Sequence, residues 1–108
     1  MAVGKRISSG HIVQLVTIEQ DIYVELSTGS RPFGIVLAVN DNIVKIYHQK
    51  MICHTSKFDK SLQYPGGATL YVKDGELTTI PENESHPIIA HVITDFRKDK
   101  DILEINWI

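Results

Sequence analysis

Five histidines and a single cysteine are the residues from which chemistry would first be built. His48, His54, His86 and His91 do not fall at the spacing of a local zinc site, and Cys53 has no second cysteine to join it. Folding could still gather them around a metal ion; the plainer reading is imidazoles on strands, partly buried or at the surface. His91, between Ala90 and Val92, reads as an outward strand position. Cys53 is followed directly by His54, which raises the idea of a thiolate nucleophile. Neighbours on a strand point to opposite faces, so these two would not form a dyad with each other. Cys53 reads instead as a small core hydrophobe beside Met51 and Ile52.

The other reactive residue types are equally unproductive. No serine sits in a nucleophile elbow, and Gly66-Gly67 lacks the lysine and helix start of a phosphate loop. Glu82 with Glu84, and Asp99 with Asp101, read as solvated loop carboxylates, because paired glycosidase acids need a cleft that so short a chain rarely builds. Asp95, Asp99 and Asp101 lack the turn glycine and bidentate glutamate of a calcium loop. Asn83-Glu84-Ser85 has the form of a glycosylation acceptor and reads as chance. No catalytic residue, cofactor or metal site is expected, and the chain reads as a non-enzyme.

The elements that would position these side chains are strands. Asp21–Leu26 alternates with Ile22, Val24 and Leu26 on one face, and Ile102–Ile108 sets Leu103, Ile105 and Trp107 against Glu104 and Asn106. Ile43–His48 alternates in the same way. His11–Val16, Phe33–Val39 and Pro87–Ile93 are apolar on both faces, as strands covered on two sides would be. Turn residues separate them: Thr28–Pro32, Asn40-Asp41-Asn42, Tyr64–Gly67, Lys73–Glu76 and Pro81–Ser85. Asp95–Asp101, whose charges nearly cancel, reads as a solvated loop, and Ser56–Tyr64 as one short helical turn around Phe58 and Leu62. The pattern predicts an all-β chain: a small antiparallel β-barrel or a β-tulip or sandwich over 11–108, preceded by a flexible arm over 1–10.

At 108 residues the chain has room for one core. Its net charge of −2, without a basic cluster, argues against nucleic acid as a partner. The lone cysteine fits a reducing cytoplasm, and neither an export signal nor an apolar run long enough to span a membrane is read.

Three stretches carry a family resemblance. Ser9–Leu15 is similar to the small-residue, glycine, polar, apolar opening of small phage head proteins, and Arg31–Leu37 to their Pro-x-Gly-apolar strand. Tyr64–Val72 followed by Asp74–Thr79 resembles their G-x-x-L-Y-x-x-x-G-x-L-T-T hairpin, with His86–Ile93 as the return strand and Leu103–Ile108 as the closing one. Met51–Gln63 has no counterpart, and Ala68 stands where the family often places a charged residue.

The resemblance implies a tailed-bacteriophage virion structural protein, specifically a capsid decoration (cement) protein. Such a protein would be made in the host cytoplasm and carried on the capsid surface. Its partners would be the major capsid protein and itself, as a homotrimer, with no small-molecule substrate. Candidate interface residues are Lys5, Arg6 and Ile7 in the arm, Tyr23 and Tyr47 on the polar sides of their strands, and Trp107. A tail, neck or baseplate adaptor and a cellular ligand-binding β-barrel are the rival expectations.

Overall fold

The structure is a computed structural model and describes residues 7–41, 43–97 and 102–108, with the side chains of 94–97 left out. Among the described residues nine strands follow one another: β1 Ile12–Ile18, β2 Asp21–Leu26, β3 Gly34–Asn40, β4 Ile43–Tyr47, β5 Met51–Thr55, β6 Thr69–Lys73, β7 Glu76–Thr78, β8 Ala90–Arg97 and β9 Ile102–Trp107. They form two antiparallel sheets, ordered β2-β1-β3-β4 and β5-β9-β8-β6-β7. The expected all-β antiparallel architecture is present. Closure into a barrel is not, because both sheets are open among the described residues.

The first sheet is two hairpins joined at their open ends. β1 and β3 pair only at Ile12↔Ile35 and Val13↔Gly34, so the β1–β2 turn and the β3–β4 turn extend in opposite directions. The molecule is correspondingly long in one direction, 42 × 30 × 24 Å.

This junction explains why its strands read as apolar on both faces. Successive strand residues face opposite sides. Ile12 and Ile35 enter the main core with Phe58, Leu70, Leu77, Leu103 and Ile105. Their neighbours Val13 and Val36 enter a second cluster with Val24 on the other side, covered by Ile7.

Ile7 is therefore part of the fold rather than of a free arm. The Gly10 N–H donates to the Val36 carbonyl at 2.8 Å, and the Ser9 hydroxyl to that of Leu37 at 2.9 Å. The Thr55 hydroxyl donates to the Gly10 carbonyl at 2.9 Å, which ties the segment to β5 as well. Residues 7–10 are docked, and the rest of the expected arm, Met1–Arg6, lies outside the described residues.

Two other expectations are corrected. Phe58 and Leu62 do not share a helical turn: Phe58 bridges to Leu77, the Asp59 N–H donates to the Leu77 carbonyl at 2.9 Å, and the turn in this segment is the tight one in which the Leu62 N–H donates to the Asp59 carbonyl at 3.3 Å. An extended segment thereby covers the outer side of β7. The expected loop at Asp95–Asp101 begins too early, since β8 continues to Arg97; residues 98–101 lie outside the described residues.

Candidate interaction surface

The reactive side chains are dispersed by this topology. β5 pairs with β9 so that Cys53 lies opposite Ile105 and His54 opposite Glu104. Cys53 packs against the main core, and burial pushes its thiol pKa up. His54 sits on the other face, exposed, with Nε2 3.1 Å from the Glu104 carboxylate. The two neighbours point apart, as strand geometry requires.

The other histidines are equally separate. His48 stacks on Phe33 at 4.8 Å, and His91 is half-buried between the partners Thr69 and Asn106. His11 lies beside Ser8, whose N–H donates to its Nδ1 at 3.0 Å. Among the described residues no three His, Cys, Asp or Glu side chains are grouped to hold a metal ion. A shallow groove between the β6–β7 turn and residues 58–60 is lined by Asp59, Lys60, Lys73, Asp74 and Glu76. Its charges are of both signs, and the Asp59 carboxylate already accepts from the Ser61 hydroxyl and N–H, which holds its pKa down.

What the surface offers is apolar strand. Leu15, Ile18 and Ile22 are exposed on the β1–β2 hairpin, Leu37 and Ile43 on the β3–β4 hairpin. Ile43 is 73% exposed and Ile22 64%, the two highest values among the exposed large hydrophobic residues. Full burial of such a side chain is worth roughly 1.5–3 kcal/mol, which both residues largely forgo in the isolated chain. Both lie on outer strands of the first sheet, where the described residues supply no further strand.

The predicted interface residues divide accordingly. Tyr23, half-buried, and Tyr47, exposed, sit on those same outer strands, β2 and β4. Trp107 does not belong with them: it is 6% exposed and packs in the main core, on the inward side of β9. Ile7 is likewise inside, covering Val13, Val24 and Val36. Lys5 and Arg6 lie outside the described residues.

Ile18, Ile22, Leu37 and Ile43 are the surface residues that pattern reading missed. Alternation marks Ile22 as inward, and only the opposite projection of the two hairpins leaves it uncovered. The turns at Glu19-Gln20 and Asn40-Asp41 were the available signal, because they place the flanking isoleucines at hairpin tips.

Comparison of the chain with protein-family models and with curated proteins returns no match. No helix among the described residues is long and apolar enough to cross a membrane.

Proposed function

We propose that this chain acts by assembly rather than catalysis, as a structural protein of a tailed-phage virion that decorates the capsid shell. The observation that supports the assembly half is the exposed apolar surface on the outer strands β2 and β4. A small β domain that leaves Ile22 and Ile43 in water gains most by burying them against a partner of regular, repeated geometry. The capsid half rests on the likeness of Ser9–Leu15, Arg31–Leu37 and Tyr64–Thr79 to small phage head proteins.

Purified particles from a host producing the chain test both halves. Hundreds of copies per particle are expected. Six or twelve copies would move the protein to the tail axis, and absence from particles would overturn the virion reading. Because Ile7 is built into the fold, the accompanying truncation should remove only residues 1–6. The shortened protein is expected to fold and to occupy shells poorly.

A further inference from the structure

The two outer strands of the first sheet differ in a way that selects a partner. β2 carries Asp21, Tyr23 and Glu25 on one face and Ile22, Val24 and Leu26 on the other. β4 carries Ile43, Lys45 and Tyr47 on one face, with Val44 and Ile46 on the other. Through the pairings across β1 and β3, the face of Val24 and Leu26 is also the face of Val44 and Ile46, since all four belong to the cluster around Ile7. The charged positions of both strands therefore share the opposite face. β2 and β4 also run in opposite directions, because three antiparallel pairings separate them.

We propose that copies of this chain assemble head to tail, the outer edge of β2 in one copy pairing antiparallel with the outer edge of β4 in the next. With Tyr23 opposite Lys45, Ile22 meets Ile46 and Val24 meets Val44, Lys45 lies diagonally between Asp21 and Glu25, and Ile43 falls opposite Glu25, so the contact buries Ile22 but covers Ile43 only in part. Directly opposed and diagonal pairs are both within reach of such side chains.

The same charges oppose the symmetric alternatives. Pairing β2 with a second β2 around Tyr23 sets Asp21 against Glu25, and pairing β4 with a second β4 around Lys45 sets Lys45 against Lys45. Those symmetric pairings also keep an apolar face, with Ile22 against Val24 or Val44 against Ile46, so it is the charges that single out the mixed pairing, which brings Lys45 between Asp21 and Glu25. The mixed pairing also covers the N–H and C=O groups of two edges to which the described residues add no further strand, and such edges otherwise invite irregular association. Charges on an edge can instead serve to keep a chain monomeric, and the experiment separates the two roles.

The inference rests on the self-assembly half of the proposed function and not on the capsid half. Sedimentation of the full chain should show a defined oligomer. Lys45→Glu should weaken self-association by about tenfold or more, and adding Asp21→Lys and Glu25→Lys to that variant should restore it. Far-UV circular dichroism confirms that each variant is folded.

Independently, the Tyr23→Cys, Lys45→Cys double variant should form intermolecular disulfides on oxidation, and either single variant should not. A monomeric wild-type chain at about 100 μM, well above the Kd of a stable complex, overturns the inference. So does an oligomer that Lys45→Glu leaves intact and the cysteine pair fails to trap, a result that spares the proposed function and points to another surface such as β5. Edge pairing by protein that never occupies shells overturns the capsid reading alone.

Discussion

The Ile12 N–H donates to the Gly75 carbonyl at 2.7 Å, and through this bond the turn between β6 and β7 is spliced onto the first sheet. The Gly75 N–H in turn donates to the Ser27 carbonyl at 2.8 Å, and the Ser27 N–H to that of Ile12 at 2.9 Å. The three bonds close a cycle where the sheets meet, so backbone contacts at one turn reinforce the side-chain packing of Ile12 and Ile35 in joining the hairpins to the five-stranded sheet.

Gly75 is the position where that junction is most sensitive. Its φ is +81°, and a Cβ there would lie 2.7 Å from Leu26 Cδ2. Gly75→Ala therefore combines backbone strain with a clash in the β2 base. A loss of about 1–3 kcal/mol is expected, read as a lower urea midpoint with an unchanged slope. A midpoint equal to the wild type's would show that the two sheets do not rely on this turn.

Tyr64 closes the other end of the core. It is 2% exposed, meets Phe58 edge-on at 5.2 Å, and its hydroxyl donates to the Asp59 carbonyl at 2.6 Å. Tyr64→Phe should cost about 1 kcal/mol, the worth of one buried hydrogen bond, since the Asp59 carbonyl still accepts from the Leu62 N–H at 3.3 Å. Burial, followed by the Asp59 charge, pushes the phenol pKa well up. The folded state thus holds the proton more tightly than the unfolded one, so its contribution is complete below the ordinary tyrosine pKa of about 10 and is lost as pH rises beyond it. Ultraviolet titration should show one tyrosine ionising only as the protein unfolds, and Tyr64→Phe should remove that step.

Most of the strand content was legible because alternation and turn residues are local signals. Asp21–Leu26 and Ile43–Tyr47 coincide with expected strands. The placement of Cys53 against the core also follows from the sequence, since strand periodicity separates it from His54. The double-sided strands were legible as such, but not their cause: Ile12 and Val13 feed two different clusters only because β1 and β3 overlap at one end. Residues 56–64 are not legible locally, because Phe58 and Leu62 have helical spacing while the contact that decides their structure, Phe58 against Leu77, is distant in sequence. Trp107, an interface candidate from the sequence, lies in the core, and its alternation with Glu104 and Asn106 is the local signal that places it inward.

Cys53 offers a direct check on the reading of β5. Its thiol is half-buried, packs on the core and has its pKa raised by burial. Less thiolate at neutral pH and poor access both slow alkylation. Iodoacetamide labelling of the folded chain at pH 7.5 should run at least about tenfold slower than in urea. Equal rates would mean that β5 opens freely from β9.

His11 couples pH to the docking of residues 7–10. Its Nδ1 accepts from the Ser8 N–H at 3.0 Å, which requires that nitrogen to carry no proton. Burial lowers its pKa most and the Lys57 charge adds to this, with Glu76 and, less strongly, a backbone hydrogen bond at Ser8 acting in the opposite sense. The folded pKa lies below the unfolded value of about 6.5, so the unfolded chain takes up the proton first. The stabilisation is present above that value and is lost as pH falls through the folded pKa. Protonation also turns the acceptor into a donor facing an N–H, releasing Ser8 and, with it, the adjacent Ile7 cover on Val13, Val24 and Val36. Between pH 7 and 5 the urea midpoint should fall, and amide exchange should quicken at Val13 and Val24 before the rest of the sheet. His11→Asn keeps an acceptor for the Ser8 N–H but does not titrate, so its midpoint should stay flat over the same window. If the variant loses stability on acidification as steeply as the wild type, His11 is not the group that couples pH to this docking.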